Sequence, residues 1–475
     1  MSSRLPDAAP RIVIVGGGIS GLSAAYFLEQ RAARQGLECS IELLEARDRF
    51  GGVLQTERCG EFLIEGGPDS FLTQKPAAIE LCRELGLGDE LIPSQDDKRK
   101  TFVLHQGKLK PLPDGLLFVI PTRIWPVFSS ELLSLGGKLR LALAPFLPPL
   151  GKKKGDESVA DFISKRFGRQ VLERLAEPLL AAVYGSDIAT LSARAALPQL
   201  IAVEEKYGSL WRGLPHMRPR AGVPRQPIFT TLRGGVGELP AALKKHLRRT
   251  QLMPGRSVGA IRPRAEGAGY AVQWQGGETA ADAVVVATPA HAAAAMFQAV
   301  DPLLSEHLAG IPYNSSVMVA LAYPKDAFVR NAEGFGFVVP RTEGRQVIAC
   351  TWSSTKFPYR SSGDTMLLRC FLGGARNPSV INENDEWIVK TALAELDAVF
   401  QARRDPLLTK VYRWERCMPQ YAVGHEDRLR QIESRLALHP GLFLAGNAYR
   451  GVGIPDCIQS GDRAAGAAVE LLLNR

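Results

Sequence analysis

Apolar and polar positions follow three rhythms along this chain, and each predicts a different kind of element. In the first, apolar residues run nearly unbroken, as in Val13-Ile14-Val15, Ile41-Glu42-Leu43-Leu44, Ala283-Val284-Val285-Val286 and Leu442-Phe443-Leu444. Such runs fit short strands buried on both faces of a parallel sheet. In the second, side chains alternate with period two. Ser316-Val317-Met318-Val319-Ala320-Leu321, Gly336-Phe337-Val338-Val339 and Met366-Leu367-Leu368-Arg369-Cys370-Phe371 predict an antiparallel sheet over 310–375, with a helix at 384–400 after it. In the third, from 96 to about 227, apolar stretches, prolines and basic residues alternate, and helices are expected at 157–167 and 169–183. Short strands are also expected at 255–261 and 270–274.

The order of these segments predicts an α/β chain whose Rossmann-like, dinucleotide-binding domain is discontinuous. It is drawn from 1–95, 228–290 and 410–475, with a helical insertion at 96–227 and an antiparallel-sheet, substrate-binding domain at 291–409. A chain of 475 residues can bury the cores that this division requires.

Composition narrows the partners. The net charge of +9 admits nucleic acid, an anionic membrane surface or an anionic small substrate. No zinc-finger or helix-turn-helix pattern is present, so nucleic acid is not expected. Seven cysteines, scattered and without a C-x-x-C pair, point to free thiols in a reducing, cytoplasmic setting. The seven histidines are scattered as well, and no metal site is expected. Neither a signal peptide nor a membrane-spanning run is expected. The stretch 118–128, with Arg123 and Trp125, and 139–147, which leads to Lys152-Lys153-Lys154, fit a surface resting on a membrane without crossing it. The alternative is a helical domain with buried apolar faces.

Candidate chemistry begins at Gly16-Gly17-Gly18-Ile19-Ser20-Gly21, a G-x-G-x-x-G turn between strand and helix. The first glycine permits the turn, the second the approach of a pyrophosphate, and the third close packing of helix on strand. Glu45, at the end of the second strand, stands where a ribose-binding acid is expected. Further glycine turns at 51–52, 66–67, 234–237, 446 and 451–453 imply a cofactor held along its full length, and favour FAD over NAD.

More specific segments are Gly67-Pro68-Asp69-Ser70-Phe71, Met418-Pro419-Gln420-Tyr421 and Gly451-Val452-Gly453-Ile454-Pro455-Asp456-Cys457, and Tyr184-Gly185-Ser186-Asp187 stands beside them. With the opening turn, these resemble the flavin-dependent porphyrinogen oxidases of haem biosynthesis, within the amine-oxidase superfamily, over essentially the whole chain. The resemblance implies non-covalent FAD held by Gly16, Gly17, Gly18, Ile19, Ser20, Gly21, Glu45, Ala46, Gly52, Val53, Gly67, Pro68, Asp69, Ser70, Val258, Trp414, Ile454, Pro455 and Asp456. It implies six-electron oxidation of protoporphyrinogen IX or coproporphyrinogen III, with dioxygen reduced to hydrogen peroxide. No catalytic side-chain base is assigned, because the substrate's bridge hydrogens are already activated by flanking pyrroles. Lys75, Arg99, Lys100 and Arg450 are the candidate partners of substrate propionates. Plant forms carry an arginine where this chain has Thr101, and that departure, with Lys75, leans towards coproporphyrinogen III. A flavin amine oxidase, a carotenoid desaturase and a flavin-free escort protein on the same fold are the rival readings.

Overall fold

The computed structural model describes residues 9–113, 116–117, 120–121, 124–146, 155–217, 226–265, 268–330 and 333–474. Five parallel strands form the first sheet, in the order Thr250–Met253, Ser40–Leu44, Arg11–Val15, Ala283–Val286 and Leu442–Leu444. Alternate residues of each strand serve two cores. Ile12, Ile14, Ile41 and Leu43 pack with the first helix, Ile19–Arg34, and the closing helix, Ile454–Leu473. Val13, Val15, Val284 and Val286 pack on the opposite face with the helix Ala290–Phe297. Burial on both faces explains why the two central strands, Arg11–Val15 and Ala283–Val286, are apolar after Arg11. Strand order reverses between Arg11–Val15 and Ala283–Val286, which opens a crevice at their carboxyl ends.

The second sheet has seven strands, in the order Leu408–Pro419, Tyr313–Pro324, Thr365–Gly373, Val347–Trp352, Gly336–Val338, Thr101–His105 and Lys108–Pro111. Its core packs against the helix Asp385–Phe400. Three of its strands differ from expectation. The hairpin at 101–111, read as part of the helical insertion, joins this sheet by parallel pairing of Thr101, Phe102 and Val103 with Gly336, Phe337 and Val338. Leu408–Pro419, read mostly into the nucleotide-binding domain, pairs with Tyr313–Pro324 along most of its length. Val258–Pro263 and Tyr270–Trp274 form a smaller antiparallel sheet with Gly277–Ala281.

Helices between 124 and 217 enclose a third core around Phe162, Phe167, Leu175 and Leu200. The helix expected at 169–183 is interrupted by a π-helical turn, Leu172–Ala176, and resumes as Glu177–Tyr184. Pro178 explains the interruption: it has no N–H to give the preceding turn, and the wider turn accommodates its ring. Residues 118, 119, 122, 123 and 147–154, including Lys152, Lys153 and Lys154 of the expected basic loop, lie outside the described residues. Among the described residues, no helix is long and apolar enough to cross a membrane.

Candidate active site

The crevice is built from glycines with different constraints. Gly16 has φ +104°, and a Cβ there would stand 2.8 Å from the carbonyl oxygen of Ala287. A Cβ on Gly21 would fall 1.8 Å from the Gly16 carbonyl oxygen, so glycine is what lets the first helix sit on its strand. Gly18 is different. It has φ −70°, and a Cβ there would meet nothing within 4 Å. Gly18 is also the N-cap of the first helix, which has neither a side-chain cap nor an acidic residue in its first turn, so Ile19 and Ser20 begin a helix whose leading amides are free for an anion. The Gly51 amide donates to the Gly17 carbonyl at 2.8 Å, and Gly52 (φ +60°) lies against Gly18 and is followed by Val53. Glycines thus leave an open notch at a helix N-terminus, which fits a pyrophosphate.

Glu45 is fixed beside this notch. Its carboxylate accepts from the Gly17 amide at 2.6 Å and the Arg47 amide at 2.9 Å, across Ala46. Its carbonyl accepts from Arg256 at 2.7 Å, which brings in the strand that starts at the buried Val258. The carboxylate oxygens keep acceptor capacity for ribose hydroxyls.

The other end of the crevice is the closing helix. Gly453 caps it, Ile454 and Pro455 begin it, and Asp456 turns back to accept from the Gly453 amide at 3.1 Å. Lys75 donates to both carboxylate oxygens of Asp456 at 2.7 Å. Asp456 therefore acts as a cap and counter-ion. The preceding loop is clamped by two side chains. The Tyr421 hydroxyl donates to the Asn447 carbonyl at 2.6 Å and accepts from the Gly451 amide at 2.8 Å, and a His425 ring nitrogen lies 3.0 Å from the Tyr449 carbonyl. Gln420 accepts from the Ser186 hydroxyl, and Ser192 donates to the Tyr421 carbonyl. Three motifs far apart in the chain thus meet in one hydrogen-bonded network.

Between the two ends lies the turn at 66–70. The Trp414 indole N–H donates to the Gly66 carbonyl at 2.7 Å, so any other contact of Trp414 uses its ring. A charged cluster that sequence reasoning missed stands behind this turn. Lys356 Nζ lies 2.9 and 3.1 Å from the Asp69 carboxylate and 3.0 Å from Ser70 Oγ, and Arg369 Nη1 lies 3.1 Å from Asp69. Arg360 and Glu65, both buried, pair at 3.3 Å. Burial alone would raise the Asp69 carboxyl, but Lys356 and Arg369 outweigh it and hold Asp69 well below the usual carboxylate range. Burial pushes Glu65 up against the pull of Arg360. The available signal was an arginine inside an apolar strand, Arg369 in Thr365–Gly373.

The remaining cationic candidates are not gathered here. Arg99 and Lys100 are exposed at the turn before Thr101–His105. Arg450 turns onto the helix His425–Leu436, pairing with Glu433 at 2.6 Å and Glu426 at 3.7 Å. Of the four, Lys75 alone is tied to the closing helix.

The chain resembles known proteins over its full length. The family described as flavin containing amine oxidoreductase matches residues 19–469. Coproporphyrinogen III oxidase of Bacillus subtilis (strain 168) is 36% identical over 99% of this chain and 100% of its own. The chloroplastic protoporphyrinogen oxidase of Oryza sativa subsp. japonica is 30% identical over 94% of this chain and 86% of its own. A crystal structure assigned as a protoporphyrinogen oxidase, from Exiguobacterium sp. 255-15, superposes with a TM-score of 0.86 at 32% identity, over 98% of this chain and 100% of that one. The chain belongs to the flavin-containing amine oxidoreductase family.

Proposed function

We propose that the protein is an FAD-dependent porphyrinogen oxidase of haem biosynthesis that converts coproporphyrinogen III to coproporphyrin III in three two-electron steps, with dioxygen as acceptor and hydrogen peroxide as product. The full-length similarity to the Bacillus subtilis coproporphyrinogen III oxidase, at 36% identity, carries this reading. The FAD-binding unit is drawn from 1–95, 228–290 and 410–475, the substrate-binding unit from 291–409 and the helical unit from 96–227, with the strands at 101–111 and 408–419 completing the substrate sheet.

Bound FAD supplies the two-electron acceptor. The protein's own residues supply position. Gly16, Gly17, Gly18 and Gly21 admit the pyrophosphate at a helix N-terminus, and Glu45 takes the ribose. Gly52, Val53, the turn at 67–70 and residues 454–456 line the rest of the crevice. Lys75, held by Asp456, places a cation for a substrate propionate at the closing helix. The bridge hydrogens of the macrocycle are activated by its own pyrroles, so orientation is the main requirement and no side-chain base is invoked. Cys457 is buried, and burial pushes its thiol up to about 12, which supports non-covalent FAD. Acid precipitation is expected to release all of the yellow colour into the supernatant.

The deciding experiment supplies anaerobically prepared coproporphyrinogen III or protoporphyrinogen IX and follows porphyrin fluorescence. Faster conversion of the first is expected. The second is the rival substrate, favoured by the 32% identity to the Exiguobacterium structure. Fluorescence from neither, with peroxide formed from an amine, would overturn the reading. The apolar side chains exposed along Leu135–Leu143 support peripheral contact of this cytoplasmic protein with the inner membrane surface.

A further inference from the structure

The turn at 66–70 is held from one side. Its Gly66 carbonyl accepts from Trp414 at 2.7 Å, its Gly67 carbonyl from Arg369, and its Asp69 carbonyl from the Thr231 hydroxyl at 2.8 Å. The peptide bonds are trans. A trans peptide directs its N–H opposite to its C=O, so the amides of Gly67 and Ser70 face away from these partners. Neither amide has an acceptor among the described residues. Behind the turn, two cations, Lys356 and Arg369, meet one carboxylate, Asp69. Glu65 and Glu238 face the neighbouring Arg360 rather than these two cations. Arg369 Nε is buried without a partner, as expected of a group one acceptor short.

We propose that Lys356 and Arg369 set the reduction potential of the bound flavin through this turn. Trp414 and Thr231 hold the Gly66 and Asp69 carbonyls, which turns the Gly67 and Ser70 amides outward. Lys356 and Arg369, gathered on Asp69 and the Gly67 carbonyl, place positive charge directly behind these amides, on the side of the ring system where negative charge collects on reduction. Both are positioning residues, since they act through the turn. The proposal rests on the flavoprotein reading above, with 67–70 against the cofactor. Positive charge favours the reduced form, so its removal lowers the potential and removal of Asp69 raises it.

The test measures the flavin midpoint potential of the holoprotein against reference dyes in Lys356→Met, Asp69→Asn and the double variant. Lys356→Met is expected to weaken binding of reduced relative to oxidised flavin about tenfold, a fall of about 30 mV for a two-electron couple. Asp69→Asn is expected to shift the potential upwards by a similar amount, and the double variant to return near wild type. A purely structural role would move both single variants in the same direction, and that result, or no shift in either, overturns the proposal. Where Lys356→Met does not fold, Arg369→Gln carries the fall and Lys356→Arg the unchanged potential. Wild-type protein purified without flavin would overturn the flavoprotein reading itself. Flavin bound with unmoved potentials would overturn this proposal alone.

Discussion

Asp301 shows how a single residue couples stability to pH. It caps the helix Pro302–Ala309 through the Leu303 and Leu304 amides and takes Arg435 at 2.7 Å and His439 at 2.9 Å. Its burial opposes ionisation, but the Leu304 amide and the two basic side chains outweigh it and hold the carboxyl at about 2, from an ordinary 3.8. A depressed carboxyl contributes stability above its unfolded pKa and loses it as pH falls through the folded value. The window is therefore pH 4 down to about 2, and the contribution is about 2 kcal/mol. Urea unfolding of Asp301→Asn is expected to show that loss at pH 7 and a shallower decline than wild type below pH 4. Trp414→Phe isolates another single bond. It leaves the Gly66 carbonyl unpaired in a buried site, at a cost of about 1–3 kcal/mol in chemical unfolding.

At the scale of elements, the glycine turn separates folding from cofactor binding. Gly21→Ala places a methyl against the Gly16 carbonyl and pushes the first helix off its strand, so the flavin-free protein is expected to lose about 1–3 kcal/mol. Gly18→Ala meets only open space at an ordinary φ, so the flavin-free protein is expected to unfold at the wild-type urea concentration, while its FAD affinity falls about 100-fold. Equal destabilisation of both flavin-free variants would refute this division. This part of the site was legible in the sequence because strand, turn and helix are contiguous and each glycine has a local reason. The charged cluster was not. Asp69 and Lys356 are 287 residues apart, and no local periodicity brings them together. The same limit hid the hairpin at 101–111, whose parallel partner is Gly336–Val338. Helix 169–183 was legible, but its π-helical turn follows from one proline that pattern reading passed over.

At the scale of the whole molecule, large apolar side chains are exposed unevenly. Leu135, Leu139 and Leu143, at i, i+4 and i+8 of one helix, are 86%, 61% and 50% exposed, and Phe146 just beyond is 84% exposed. The same helix buries Leu141 in the core around Phe162 and Phe167, so its two faces do different work. A helix with one face anchored in the domain and the other apolar face unpartnered can lie in a membrane interface. Lys138 on this helix, the Lys152-Lys153-Lys154 run and the net charge of +9 favour an anionic surface over a neutral one. Each basic residue near such a surface contributes about 1 kcal/mol, and the attraction is screened by salt. The protein is therefore expected to co-sediment with vesicles containing phosphatidylglycerol, less with phosphatidylcholine alone, and to be partly released at high salt. Leu139→Glu with Leu143→Glu should abolish co-sedimentation at low salt while leaving flavin content and thermal unfolding unchanged, because neither side chain is part of the crevice. Binding that survives this double substitution would move the membrane contact away from this helix.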